Sequence, residues 1–371
     1  MATEVLPDDR ALRSGRRQRV LDQMAAHELD VLILGRQANV RYVTGTPQLW
    51  VAGTRPFGPS CVLVRATGAL HLLSTWDEGV PDDIPRENLY GISWNPVNTM
   101  AVLKRIDGAA TARRVGTDAL SPAFAQLLPT AFPSAELVDG ELAMRAARRI
   151  KTAEEVVALR EAIAVAESGL AAGVAELHPG VREQTLAGIM MEAMAAGGVS
   201  TPSNQEFAWV TSPAHPWRRA YGDRVKDGDL VAFTSGVLAG GYMGEVGRTW
   251  PAGEVSGAAT LYRRWEALWA RLVAACRPGG RAGELLAAYQ AAGEPPPPMP
   301  VARGLGMGFD PPVVTQRLPQ TAADDRLAPG MLLAVTGYVW EQGVGAVFGR
   351  EAVLITADGP ELLTSSPHWR A

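Results

Sequence analysis

Residues 240–250 read GGYMGEVGRTW. The glycine pair turns the chain, and the residues after it have the pattern of a strand. Upstream, DLVAFTSGV (229–237) is a second strand, so the two make a hairpin. The later strand has the form of one that presents a metal ligand, yet it offers a single carboxylate, Glu245. Does the hairpin belong to a metalloenzyme, or to something built on a metalloenzyme's frame?

Strands dominate the sequence from residue 205, beginning with EFAWVTS and resuming at MLLAVTGYVW and EAVLIT (351–356). Helical spacing marks 259–276 and 282–292, and GEPPPPMP (293–300) is a stiff extended connector. Before the hairpin, RRIKTAEEVVALREAIAVAESGL (148–170) is a long helix. Thr152 is placed to cap it, and Glu155 completes a capping box. Val156, Leu159, Ile163, Ala166 and Leu170 fall on one face. A second helix, EQTLAGIMMEAMAAGG, ends at its glycine pair. The N-terminal part alternates instead: helical spacing over 16–28, strand VLILG (31–35), NVRYVTG (39–45), strand-like CVLVRA (61–66) and LHLLST (70–75), then RRVGTDA and a helical AFAQLLP. The expected fold class is an α/β N-terminal domain over 1–147, followed by an α+β domain over 148–371.

At 371 residues, 47% hydrophobic and 20% charged, the chain suits two globular domains. The net charge of −4 leaves no basic stripe for nucleic acid. No apolar run reaches membrane length, and the first residues lack the apolar core of a signal peptide. A cytoplasmic location is expected. Cys61 and Cys276 form no CxxC and are read as core residues.

NVRYVTG, RRIKTAEEVVALREA, KDGDLVAFTSGV, GGYMGEVGRTW, GLGMGFDPP, LAPGMLLAVTGY and EAVLITADG occur in an order that resembles the creatinase/prolidase/aminopeptidase P family. The resemblance covers nearly the whole chain. It implies a creatinase-type N-terminal domain followed by a pita-bread domain, and a homodimer. In the metallopeptidases of that family two Asp, one His and two Glu bind two divalent ions. Those positions fall here on Thr234, Glu245, Arg303, Thr336 and Arg350, with Glu351 equivalent to the last if the register slips by one. Threonine hydroxyls are weak, neutral ligands, and arginine has no lone pair to give. The expectation is a metalloenzyme frame without its metal, and no cofactor.

Creatinase implies a metal-free alternative, with a histidine and carboxylates acting on a C–N bond. His215 lies in the corresponding region, although its stretch to Gly228 is about two residues longer than in creatinase. The creatinase carboxylates fall near Gly247 and Gly349, which argues against creatine itself. His215 is expected to move the proton. Glu245 shares strand parity with Thr234 and orients a cationic or polar centre. Arg303 and Arg350 would clamp a substrate carboxylate, or pair with the neighbouring Asp310 and Glu351. Trp217, Tyr242, Tyr338 and Trp340 would wall the pocket. The candidate site is thus His215 and Glu245 as catalytic residues, with Arg303, Arg350, Thr234, Thr336, Tyr242, Asp310, Glu351, Trp217 and Tyr338 around the substrate. GLGMG lacks the strand–loop–helix context and lysine of a phosphate loop.

The leading expectation is a metal-independent enzyme acting on a small, carboxylate-bearing, nitrogen-containing molecule by C–N bond hydrolysis, a lyase reaction or rearrangement, a biosynthetic tailoring step included. A non-catalytic binding relative and an Xaa-Pro metallopeptidase with unusual ligands are the alternatives.

Overall fold

The computed structural model describes residues 10–46, 60–73, 79–91, 95–118, 121–199, 201–204, 206–220, 222, 224–308 and 310–370. The N-terminal residues 1–9, the end of LHLLST at 74–75, Ala119 of RRVGTDA and Phe309 of GLGMGFDPP lie outside the described residues. The chain divides into two compact units at Arg148/Arg149.

The first unit, Asp8–Arg148, holds helices α1 (Arg10–Ala26), α2 (Gln37–Thr44), α3 (Pro96–Leu103) and α4 (Pro122–Leu127), and most of α5 (Glu141–Arg149). Its strands are β1 (Val31–Leu34), β2 (Cys61–Val64), β3 (Leu70–Leu72), β4 (Arg114–Thr117) and β5 (Glu136–Asp139), in the order β3-β2-β1-β4-β5. β1, β4 and β5 run parallel, while β2 and β3 join as an antiparallel pair. VLIL is buried on both faces, as a central strand of a mixed sheet requires. The NVRYVTG segment is mostly helix α2, burying Val40, Tyr42 and Val43.

In the second unit, helices α6 (Ala153–Ala175) and α7 (Glu183–Ala196) precede strands β6 (Ala208–Val210), β7 (Asp229–Ala239) and β8 (Tyr242–Ala252). Helices α8 (Ala258–Ala275) and α9 (Gly283–Ala292) then precede β9 (Ala302–Gly304), β10 (Asp310–Val314), β11 (Leu332–Glu341), β12 (Gly345–Thr356) and β13 (Gly359–Leu362), with the short α10 (Gln320–Ala323) before β11. The sheet order β10-β9-β11-β12-β8-β7-β6 brings the two long hairpins together through β8 and β12. Each half is a helix pair followed by a long hairpin.

The capping box forms as read: Thr152 Oγ1 accepts from Glu155 N, and Glu155 Oε2 accepts from Thr152 N. The other oxygen of Glu155 accepts from the Tyr242 hydroxyl at 3.1 Å, so one carboxylate closes the helix and ties it to β8. Leu159, Ile163, Ala166 and Leu170 are buried on the sheet, with Val156 at the margin. Gly244 permits this approach: a Cβ there would collide with the Ala162 carbonyl and sit 2.7 Å from Ile163 N. The strand read at 351–356 begins earlier, at Gly345, because the turn with β11 closes over residues 342–344. Both cysteines are buried, and burial pushes each thiol up to about 12.

Candidate functional site

Directly paired residues on antiparallel strands share a face, and residues two apart return to it. On β7 and β8, Thr234 pairs with Gly247 and Gly236 with Glu245. Gly247 pairs across with Arg350 of β12, which pairs with Thr336 of β11. Arg303 of β9 pairs with Ala334, two residues before Thr336. Thr234, Glu245, Arg303, Thr336 and Arg350 therefore project from one face. The pairing also removes the one-residue slip, since Arg350 is on this face and Glu351 on the other.

Glu245 is the hub. Arg303 Nη2 donates to its Oε1 in a short charge-assisted contact, and Arg350 Nη1 lies 3.3 Å from its Oε2. Arg350 Nε donates to Thr336 Oγ1 at 3.2 Å, while Nη2 reaches Met299 Sδ at 3.5 Å. Its guanidinium carbon stands 5.4 Å from the Phe348 ring centre. Burial presses the Arg303 guanidinium below its ordinary value; Glu245 opposes this and Arg350 adds to it. Glu245 and Arg303 are deeply buried, whereas the Arg350 side chain keeps 16% exposure and so has the more open guanidinium.

The two divalent ions that the fold family implies do not fit this donor set. Such ions need several anionic oxygens or imidazole nitrogens converging at roughly 2 Å. The face offers two threonine hydroxyls and one carboxylate whose oxygens already accept from guanidinium groups. Two arginines stand where further donors would be needed. Among the described residues, no group of three or more His, Cys, Asp or Glu is gathered for a metal.

Further along the face, Ala232, Tyr338, Ala346 and Phe348 form a small apolar cluster with Trp209, Trp217, Met299 and Trp340 packed against it. The Trp217 and Tyr338 rings stack at 3.4 Å between centres, and Trp217 N donates to the Tyr338 hydroxyl at 2.9 Å. Trp217 holds φ +64°, a left-handed conformation that a bulky residue adopts only when its surroundings enforce it. Burial pushes the Tyr338 phenol up to about 12, so it stays protonated. Trp340 Nε1 donates to Ser212 O, pinning the other end of the loop. His215 lies on this loop. Its imidazole is exposed and makes no hydrogen bond to any described residue, and only its backbone N–H is engaged, by Ser212 Oγ.

Three expected site residues lie elsewhere. Tyr242 faces α6, because strand parity sets it opposite Glu245. Asp310 is buried against Lys151, its Oδ2 3.2 Å from Nζ, and helps hold the loop of Gly306. Glu351 projects to the opposite face, where Arg248 meets both its oxygens at 3.0 Å, His368 Nε2 lies at 2.6 Å and Thr364 donates. The pairing of Arg303 with Asp310 and of Arg350 with Glu351 is thus replaced by convergence of both arginines on Glu245. Met299, Trp209 and Phe348 were not foreseen; Phe348, two residues before Arg350, was within reach of a parity argument.

Residues 157–357 match the model for metallopeptidase family M24, and residues 16–150 match that for the creatinase/prolidase N-terminal domain. An uncharacterized hydrolase/peptidase of Sinorhizobium fredii is 26% identical over 93% of this chain and 92% of its own. The creatinase of a Bacillus species is 24% identical over 65% of this chain and 60% of its own. The prolidase structure from Pyrococcus horikoshii superposes with a TM-score of 0.76 at 19% identity, covering 95% of this chain and 99% of that one. That last likeness extends the two-domain pita-bread architecture over 95% of the chain. With its M24 model spanning more than half the sequence behind a creatinase/prolidase N-terminal domain, the chain belongs to metallopeptidase family M24.

Proposed function

We propose that the protein is a metal-independent enzyme of creatinase type that acts on a small, carboxylate-bearing, nitrogen-containing molecule, at or beside a C–N bond. The observation that carries this reading is the convergence of Arg303 and Arg350 on Glu245, on the face where the family's ligands would stand. Arg350, the more open of the two, takes the substrate carboxylate, and Arg303 fixes Glu245 from behind. With both oxygens accepting from guanidinium groups, Glu245 acts as an electrostatic anchor rather than a proton shuttle. Proton movement falls to His215, at the exposed edge of the aromatic end. Tyr338, protonated and on the same face, supplies a hydroxyl dipole to a developing negative charge.

A second reading is favoured by the prolidase likeness: a dipeptide also carries a carboxylate and has an amide C–N bond. Both readings need the Arg350 carboxylate contact. The test is a turnover screen by mass spectrometry over amidino acids, amino acid amides and Xaa-Pro dipeptides, with and without added manganese. Arg350→Met should reduce kcat/KM on any turned-over acid by about 30- to 150-fold, the scale of a lost charge-assisted pair at about 2–3 kcal/mol. Undiminished turnover in this variant would refute the carboxylate clamp. Robust turnover that appears only with manganese would refute the metal-free reading.

A further inference from the structure

Glu245 and Arg350 meet because the two long hairpins of the second unit are joined along β8 and β12. That seam differs from the joints on either side of it. β7 pairs with β8 along its whole length, and β11 with β12 likewise. Between β8 and β12, one backbone pair is formed among the described residues, Gly247 with Arg350. Side chains hold the rest. Thr249 Oγ1 accepts from Phe348 N at 2.8 Å and donates to Phe348 O at 3.0 Å. Arg248 Nη1 donates to Gly247 O at 2.7 Å and to Arg350 O at 3.3 Å, gripping the carbonyls of the paired residues themselves.

Arg248 is held in turn by the C-terminal segment. Its Nε and Nη2 both donate to Ser366 O, at 3.1 and 2.7 Å, while Nη1 and Nη2 each meet an oxygen of Glu351 at 3.0 Å. The planar guanidinium thus spans the segment, Glu351 and the seam. Glu167 of α6 holds the same segment by its backbone. One of its oxygens accepts from Ser365 N and Ser366 N, and the other from Ser365 Oγ. The ends of the segment are fixed separately. Leu363 N donates to Ala352 O at 2.9 Å, and the rings of His368 and Trp369 rest on Trp265 and Tyr262 of α8, centres 4.4 and 4.7 Å apart. Between those ends no residue makes a backbone-to-backbone hydrogen bond to any described residue, and Ser365 and Pro367 are exposed. A stretch held by side chains and open to water lifts at a lower free energy than a strand inside a ladder.

We infer that residues 364–368 are a strap that latches the β8–β12 seam through Arg248, and that lifting the strap draws Arg350 away from Glu245. Losing Ser366 O leaves N–H groups of Arg248 unmatched in a buried place, so the guanidinium turns toward water and releases the Gly247 and Arg350 carbonyls. The hairpins are then joined by one backbone pair and Thr249, and the contact between Glu245 on one and Arg350 on the other lengthens from 3.3 Å. The site is assembled with the strap down and dispersed with it lifted. Arg248 and Glu167 are positioning residues that act through Arg350. The inference rests on the proposed function only in giving Arg350 the substrate's acid group; the coupling of strap to seam stands on the bonds themselves.

The test is hydrogen–deuterium exchange, read by mass spectrometry, on the full-length protein and two variants. Glu167→Ala removes both oxygens that hold the strap, and Ser365→Asp sets a second carboxylate against Glu167. Neither substitution touches Arg248, Glu351 or the site. Each should speed exchange about tenfold, the size of one hydrogen bond to a charged group, in peptides covering 364–368. Peptides covering 247–250 and 347–351 should follow, while the β7–β8 ladder at 230–234 keeps its wild-type rate. Equal acceleration in every region would show a contact that only stabilises the domain, and would overturn the latch. So would a freed strap over an unchanged seam, or a strap that stays protected in both variants. On any acid turned over in the screen, both variants should raise KM with kcat little changed, because Arg350 binds the acid group rather than the reacting bond. If the seam loosens and KM holds, the latch stands and the carboxylate clamp falls. If the seam does not respond while Arg350→Met still cuts turnover, the clamp stands and the latch falls.

Discussion

Two glutamates on adjacent strands of the sheet have opposite employments, and strand parity decides which. Glu245 faces the arginines, while Glu351 faces Arg248, His368 and the C-terminal segment. Arg248 also donates to Ser366 O at 2.7 Å, so Glu351 anchors a clasp on residues 364–368. Burial by itself would raise the Glu351 carboxyl, but the His368 hydrogen bond and the Arg248 charge outweigh it and hold the group below its ordinary value. A depressed folded value means a stabilisation complete above the unfolded value of about 4.3 and lost as pH falls through the folded one. Glu351→Gln should cost about 3 kcal/mol near neutrality, as for one half of a broken buried pair. The gap in melting temperature between wild type and variant should narrow below about pH 4. A gap unchanged from pH 7 to pH 3 would contradict this account. The family resemblance picked out Thr234, Glu245, Arg303, Thr336 and Arg350, and all five share a face. It could not pair the charges, because pairing depends on side-chain reach across three strands.

At the scale of elements, the hairpins and the α6 cap were legible because their signals are local: a glycine turn, a capping box, a periodic face. The start of β12 was not, since GAVFGR mixes glycines with apolar residues and shows no clean alternation until the partner strand imposes one. NVRYVTG is likewise too short for its period to be read from sequence. The close contact of α6 with β8 backs the strand that carries Glu245 on its other face. Gly244→Ala would press a methyl into the Ala162 carbonyl, with backbone on both sides and nothing flexible to yield. The expected cost is about 1–3 kcal/mol, with ligand affinity falling alongside stability. A melting temperature equal to wild type would mean that α6 can shift without consequence. Thr152→Ala tests the same helix from its end and should cost about 1 kcal/mol, with no effect on ligand affinity at saturating folded protein. Selective loss of affinity in this variant would show α6 coupled to the site by more than packing.

For the whole molecule, the frame is that of a metallopeptidase family, and the proposed centre carries a different set of side chains. A sheet that joins two hairpins at a single β8–β12 bridge brings together side chains more than a hundred residues apart in sequence. On this chain those side chains are two guanidinium groups, a carboxylate and hydroxyls. No helix among the described residues is long and apolar enough to cross a membrane. The central claim is that this centre works without metal. It is tested most directly by elemental mass spectrometry of the purified full-length protein, before and after incubation with manganese, zinc and iron followed by desalting. The account predicts far less than one metal ion per chain in every sample, with Arg303→His and wild type alike. Stoichiometric manganese, zinc or iron in the wild type would contradict it and return peptides to the head of the substrate search.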